Sequence, residues 1–249
     1  MAAMTVRPIR LCFFGDSFVA GVGDPAHRGW AGLLAECARP ALGDVDVTRP
    51  ALGDVDVTRP ALGDVDVTRP ALGDVDVTVY NLGVRRDTTA DVRARWLDEA
   101  RRRFPDGCDN RLVLSFGVND TTLLDDPAQQ EDSTRVPPAD SVTNLTAILD
   151  DARACGWPVF VVGPPPVADE QQNARTRRLD GLFAEVCAER NVPYCPVFEH
   201  LHGDTAWIRE AAAGDGAHPS AQGYRDLADV VQGAWITWIR SAAAVGGAR

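Results

Sequence analysis

The segment Ile9-Arg-Leu-Cys-Phe-Phe-Gly-Asp-Ser17 reads as a short buried strand that stops on a glycine followed by two polar residues. Its apolar run, Ile9 to Phe14, is rich in the bulky residues that favour strands. Working outward, four more runs of that kind occur, at Val75 to Asn81, Arg111 to Phe116, Pro158 to Val162 and Pro193 to Phe198. Between them residues 29–38, 88–104, 139–155 and 170–190 place apolar side chains at three- and four-residue spacing, the helical period, and a final helix is expected after Pro219. Strands alternating with amphipathic helices predict an α/β protein, a three-layer αβα sandwich around a five-stranded parallel sheet.

In such sheets reactive groups collect at the carboxyl ends of the strands. Each of the first four strand ends carries glycine and, in most cases, polar side chains. These are Gly15-Asp16-Ser17, Asn81-Leu82-Gly83, Gly117-Val118-Asn119-Asp120 and Gly163-Pro164-Pro165-Pro166. Ser17, directly after the first strand, is placed to present its hydroxyl at the rim, although a serine there is also what a helix N-cap looks like. Asp215-Gly216-Ala217-His218 sets a histidine three residues after an aspartate, ahead of the last helix. Such a histidine can accept a serine proton while the aspartate supports the imidazole. Gly83 offers an unhindered backbone N–H and Asn119 a side-chain amide, both suited to holding an oxyanion.

Four blocks in this order, G-D-S at 15–17, the glycine of N-L-G at 83, G-x-N-D at 117–120 and D-x-x-H at 215–218, resemble the SGNH or GDSL hydrolases. The resemblance runs from about residue 9 to residue 235. It implies a flavodoxin-like sheet, Ser17 as nucleophile, His218 as general base and then acid, and Asp215 as the partner of His218. It further implies an oxyanion hole of the Ser17 N–H, the Gly83 N–H and the Asn119 amide. Phe18 stands where the family's name has leucine.

Other chemistries find less support. The chain has 25 arginines and no lysine, which excludes a P-loop, a pyridoxal Schiff base and a protein-kinase lysine. No serine sits in G-x-S-x-G. The six cysteines are scattered singly, the pattern of reduced thiols, and none lies at a glycine-rich strand end. Gly21-Val22-Gly23 lacks the rest of a dinucleotide fingerprint. Glu199, His200 and His202 lack further ligands at metal-binding spacing. The expectation is therefore an enzyme without metal or other cofactor. A net charge of −11 argues against nucleic acid. With no apolar stretch of membrane-spanning length, and an N-terminal apolar run too short for a signal peptide, a cytoplasmic protein is expected.

The expected substrate is a small-molecule ester. Acetylated sugars and thioesters are alternatives on the same site, and a non-catalytic ligand-binding module is the alternative of another class. The polar segment from Thr121 to Asp140, with Asp125, Asp126, Glu131 and Asp132, favours a neutral ester.

The ten residues R-P-A-L-G-D-V-D-V-T occur four times unchanged, at 39–78. With only Ala, Leu and Val as apolar residues and no unlike neighbouring repeats to cap it, the array reads as an expansion within the connection from the first long helix to the second strand, not as a solenoid. Residues 1–249 are thus expected to form one hydrolase domain, with the repeats at the rim opposite the strand carboxyl ends. The alternation in D-V-D-V-T could form short strands.

Overall fold

The computed structural model describes residues 7–42, 45–48, 76–124, 133–203 and 205–245. A parallel sheet runs through them in the order β2-β3-β1-β4-β5-β6. Its strands are β1 (Ile9–Gly15), β2 (Val45–Thr48), β3 (Val77–Gly83), β4 (Asp109–Ser115), β5 (Val159–Val162) and β6 (Tyr194–Cys195). Five of these fall where the apolar runs placed them, and in sequence order those five lie 2-1-3-4-5 across the sheet, the flavodoxin-like arrangement.

The sixth strand, β2, comes from the first copy of the decapeptide and pairs parallel with β3, Val45 opposite Val77 and Thr48 opposite Tyr80. The repeats were expected to stay at the far rim. Instead, because β2 is parallel to β3, this copy climbs the sheet edge in the direction of the strand carboxyl ends. The second and third copies lie outside the described residues.

Helices cover both faces. On one lie α1 (Ser17–Ala20), α2 (Gly29–Leu42), α6 (Phe198–Leu201), α7 (Ala206–Ala213) and α8 (Ala221–Val245), and on the other α3 (Thr89–Arg101), α4 (Pro138–Ala154) and α5 (Glu170–Glu189). The strands divide their side chains between the two cores with period two. Leu11, Phe13, Val113 and Phe160 enter the first core, and Cys12, Phe14, Leu112, Leu114 and Val161 the second. Trp30 packs edge-on against Phe13 and Trp96 against Phe14, with centroids 5.6 and 6.5 Å apart, so each face of β1 is sealed by an indole.

Arg111 of β4 is fully buried, paired with Asp109, donating to the Ile239 carbonyl and lying 5.6 Å from the centroid of the Trp238 ring. A charge out of water needs that full set of partners, and here they fasten α8 to the sheet. Among the described residues no helix is long and apolar enough to cross a membrane.

Candidate active site

The carboxyl end of β1 turns into α1 within two residues. Asp16 is the N-cap, its Oδ1 accepting from the Phe18 N–H at 3.0 Å, and Ser17 is the first helical residue, with 3% exposure. As the first residue of its helix, Ser17 has a backbone N–H without an intrahelical acceptor. Four residues of helix suffice because the turn is braced: Gly21 adopts a left-handed φ of 77° and donates its N–H to the Ser17 carbonyl.

His218 lies in the loop between α7 and α8. Glu210 of α7 accepts from the N–H groups of Ser220 and Gly223, each at 2.8 Å, which ties both ends of that loop together. Asp215 then works with both oxygens. Oδ1 accepts from the Ala217 and His218 N–H groups at 3.0 and 2.9 Å, and Oδ2 lies 2.7 Å from His218 Nδ1. Burial raises the Asp215 pKa, but these hydrogen bonds outweigh it and hold the carboxyl at about 2. An ionised Asp215 accepts only, so Nδ1 carries the imidazole proton and Nε2 presents its lone pair. Nε2 lies 2.7 Å from Ser17 Oγ.

Phe18 packs beneath this pair, 5.0 Å from the His218 ring and stacked on Trp207 at 5.8 Å, while Trp207 Nε1 donates to the Pro166 carbonyl. The imidazole is thereby held from its edge by a carboxylate and from its face by an aromatic column. The arrangement can transfer a proton from the serine hydroxyl to the imidazole and stabilise the resulting cation.

Asn119 reaches the same place from the end of β4. Its Nδ2 donates to the Asp87 carbonyl at 3.0 Å and lies 3.5 Å from Asp16 Oδ2. The next residue, Asp120, is buried and accepts from the Thr89 N–H, the Thr89 hydroxyl and the Ser141 hydroxyl. Arg95 completes the brace, bonding Asp87 at 2.7 Å and the carbonyls of Leu82 and Gly15 at 2.9 and 3.2 Å. Burial lifts the Asp16 carboxyl to about 8, a shift to which Asp120 and Asp87 add and which the Phe18 N–H opposes.

Of the sequence-derived site residues, the fold brings Ser17, Asn119, Asp215 and His218 together, and Gly83 stands at the neighbouring strand end, opposite Gly15. Its N–H donates to Asn81 Oδ1 at 3.1 Å, and it is absent from the cavity wall. Gly83 instead lies under α1, where a Cβ would stand 2.3 Å from the Ala20 nitrogen. Its lack of a side chain serves that close approach. The same segment lines the cavity through Arg85 and Arg86, in a turn closed by the Asp87 N–H on the Val84 carbonyl at 3.2 Å. Neither arginine was singled out from the sequence, since turn geometry alone carries them there.

The cavity against Ser17 and His218 is about 230 Å³, small beside ligand pockets of roughly 300 Å³ and more. Arg85, Arg86, Asn119, Thr122 and Gln172 form its polar wall, and Phe18, Val118, Val167 and Ala217 its apolar one. A larger cavity of about 400 Å³ lies at the opposite end of the strands between Trp157, Val159, Pro193 and Trp238 and contains none of these groups. Glu199 and His202 point elsewhere, paired with Arg177 and Glu170. Asp125, Asp126, Glu131 and Asp132 lie outside the described residues.

No curated protein matches the chain in sequence. Many solved structures share its fold, among them the following three. Axe2, an acetylxylan esterase from Geobacillus stearothermophilus, is 17% identical with a TM-score of 0.63, covering 93% of this chain and 96% of its own. LAE5, an α/β hydrolase enzyme from the metagenome of Lake Arreo, Spain, is 17% identical with a TM-score of 0.63, covering 90% and 94%. A lipolytic protein of the G-D-S-L family from Desulfitobacterium hafniense DCB-2 is 14% identical with a TM-score of 0.60, covering 90% and 98%. The profile of the GDSL-like lipase/acylhydrolase family matches residues 67–225, a span that includes Asn119, Asp215 and His218 and begins after Ser17. On that match, over more than half its length, the chain belongs to the GDSL-like lipase/acylhydrolase family.

Proposed function

We propose that the chain is a serine esterase that cleaves a small carboxylic ester through an acyl-enzyme on Ser17. The observation that carries this reading is the unbroken line Ser17 Oγ, His218 Nε2, His218 Nδ1 and Asp215 Oδ2, with both intervening contacts at 2.7 Å.

In the first step Ser17 Oγ attacks the ester carbonyl as its proton passes to His218 Nε2, and ionised Asp215 balances the imidazolium. Negative charge developing on the carbonyl oxygen is met by the Ser17 N–H, the Gly83 N–H and the Asn119 amide, the last two of which rest on Asn81 Oδ1 and the Asp87 carbonyl before the ester arrives. Collapse expels the alcohol, which takes the proton from Nε2. Water, deprotonated by the same nitrogen, then attacks the acyl-serine and releases the acid, restoring the free hydroxyl. These steps need donors and a base in fixed positions, and the braces from Asp16, Arg95 and Glu210 supply that rigidity.

The small cavity favours a short acyl group. Acetylated sugars are the second reading, supported by the hydrogen-bonding wall of Thr122 and Gln172 and by a fold shared with Axe2. The test is hydrolysis of 4-nitrophenyl esters of increasing acyl length by the wild type and by Ser17→Ala. The expected result is turnover that is best for short acyl chains and falls by about 10⁴-fold or more in the variant. A variant at full rate would overturn the assignment of Ser17.

A further inference from the structure

Arg85 and Arg86 line a small cavity beside the serine hydroxyl, and among the described residues only Arg85 of the two has a carboxylate partner, Asp215 at 3.7 Å. Asp87 is engaged by Arg95 at 2.7 Å. Asp215 spends both oxygens on its own loop and on the His218 ring, and Arg85 comes no closer to it than 3.7 Å. Asp16 is buried behind Ser17. Arg86 has no ion pair among the described residues. An exposed arginine would be unremarkable on an open surface, but this one stands in the turn that walls the reaction cavity.

The backbone adds a second observation. Arg86 has φ of 72°, the left-handed region that a glycine would occupy without cost at the third position of such a turn. Of the three non-glycine residues with positive φ among the described residues, His27, Arg86 and Asn191, Arg86 is the one lining this cavity. A long cationic side chain is thus kept where the turn itself would favour none. Strain of this kind is retained where the surroundings require it.

We propose that Arg86, with Arg85 beside it, receives an anionic group carried by the ester, a carboxylate or a phosphate, so that the cavity selects esters charged close to the scissile carbonyl. This rests on the serine-esterase reading and narrows its substrate class. The guanidinium fork suits both anions, because it offers paired N–H donors to two oxygens. Asp125, Asp126, Glu131 and Asp132, on which the expectation of a neutral ester rested, lie outside the described residues, and the described wall next to the serine carries arginine and no unpaired carboxylate. The anion's place is confined by the cavity's 230 Å³ to within a few bonds of the reacting carbon.

The experiment compares matched esters by pH-stat with the full chain. With the charge on the alcohol, 4-acetoxybenzoate is set against its methyl ester, and 4-acetoxyphenyl phosphate separates phosphate from carboxylate. With the charge on the acyl side, ethyl hydrogen succinate is set against ethyl butanoate. The expected result is a kcat/KM about tenfold higher for the charged member of at least one pair, a ratio that shrinks with added salt and collapses in Arg86→Gln. Arg85→Gln is expected to reduce the ratio less. If neutral esters are hydrolysed as well as charged ones, or if the ratio survives in both variants, the anion site is refuted while the esterase reading stands. If no ester of either kind is turned over, the esterase reading fails and the anion site with it.

Discussion

Burial keeps the carboxyl of Asp16 protonated well above the range of an ordinary aspartate, at about 8. That has a consequence for stability with a definite sign. In the unfolded chain Asp16 ionises near 3.8, whereas folded it holds its proton to about 8. Between those values the folded state binds more protons, so this residue's contribution becomes steadily less favourable as pH rises and levels off above 8. Asn at this position keeps the N-cap acceptor and removes the charge. The thermal midpoint of Asp16→Asn is therefore expected to gain on that of the wild type progressively between pH 5 and pH 8, and a constant difference across that interval would contradict the burial argument. At this scale the sequence was legible through its short motifs: Ser17, Asn119, Asp215 and His218 stand in recognisable blocks, and the fold brings them to one place. Gly83 offers its N–H at the end of β3, where Asn81, two residues earlier in the same block, accepts it. Arg85 and Arg86 left no signal, since only the turn they occupy directs them to the cavity.

At the scale of elements, long periodic segments announced themselves and short ones did not. Residues 88–104 and 170–190 repeat their apolar positions over several turns, and α3 and α5 appear there. The helix α7 buries only Trp207 and Ala211, a single i,i+4 pair, which is too little repetition to establish a period. The run Pro193 to Phe198 read as a strand, yet β6 ends at Cys195. Pro196 has no N–H to continue the ladder, and Phe198 already begins α6. The elements of the site are held in register by Arg95, which joins the carboxyl ends of β1 and β3 to the turn behind Asn119. In Arg95→Met two carbonyls and the Asp87 carboxylate lose a charged donor in a half-buried place. A loss of about 2 kcal/mol is expected from urea denaturation. An unchanged denaturation midpoint would mean that the remaining backbone bonds suffice.

For the whole molecule the open question is what four identical decapeptides do to a sheet that needs one. Deleting residues 49–78 joins Thr48 to Val79 and regenerates the sequence D-V-D-V-T-V-Y that leads into β3. The first copy would then supply the strand lead-in instead of β2, returning the sheet to five strands. Because β2 lies at the sheet edge, separated from β1 by β3, the site should be indifferent to its loss. The deletion is expected to fold and to keep its esterase rate within about twofold, in line with the tolerance of surface connections to changes in length. Loss of activity in a folded deletion variant would show that the repeats reach the site or its partners. This feature was plain in the sequence as repetition, but the capture of one copy as an edge strand was not. Nothing in four identical segments says which of them the sheet will take.

The central claim is that one serine, activated by one histidine, forms the covalent intermediate. The most direct measurement is reaction of the full chain with a fluorophosphonate, followed by mass spectrometry of the digested protein, for the wild type, His218→Ala and Ser17→Ala. A single adduct is expected on the peptide containing Ser17 in the wild type, with greatly slowed labelling in His218→Ala and none in Ser17→Ala. An adduct on another residue, or labelling of Ser17 that proceeds unchanged without His218, would contradict it.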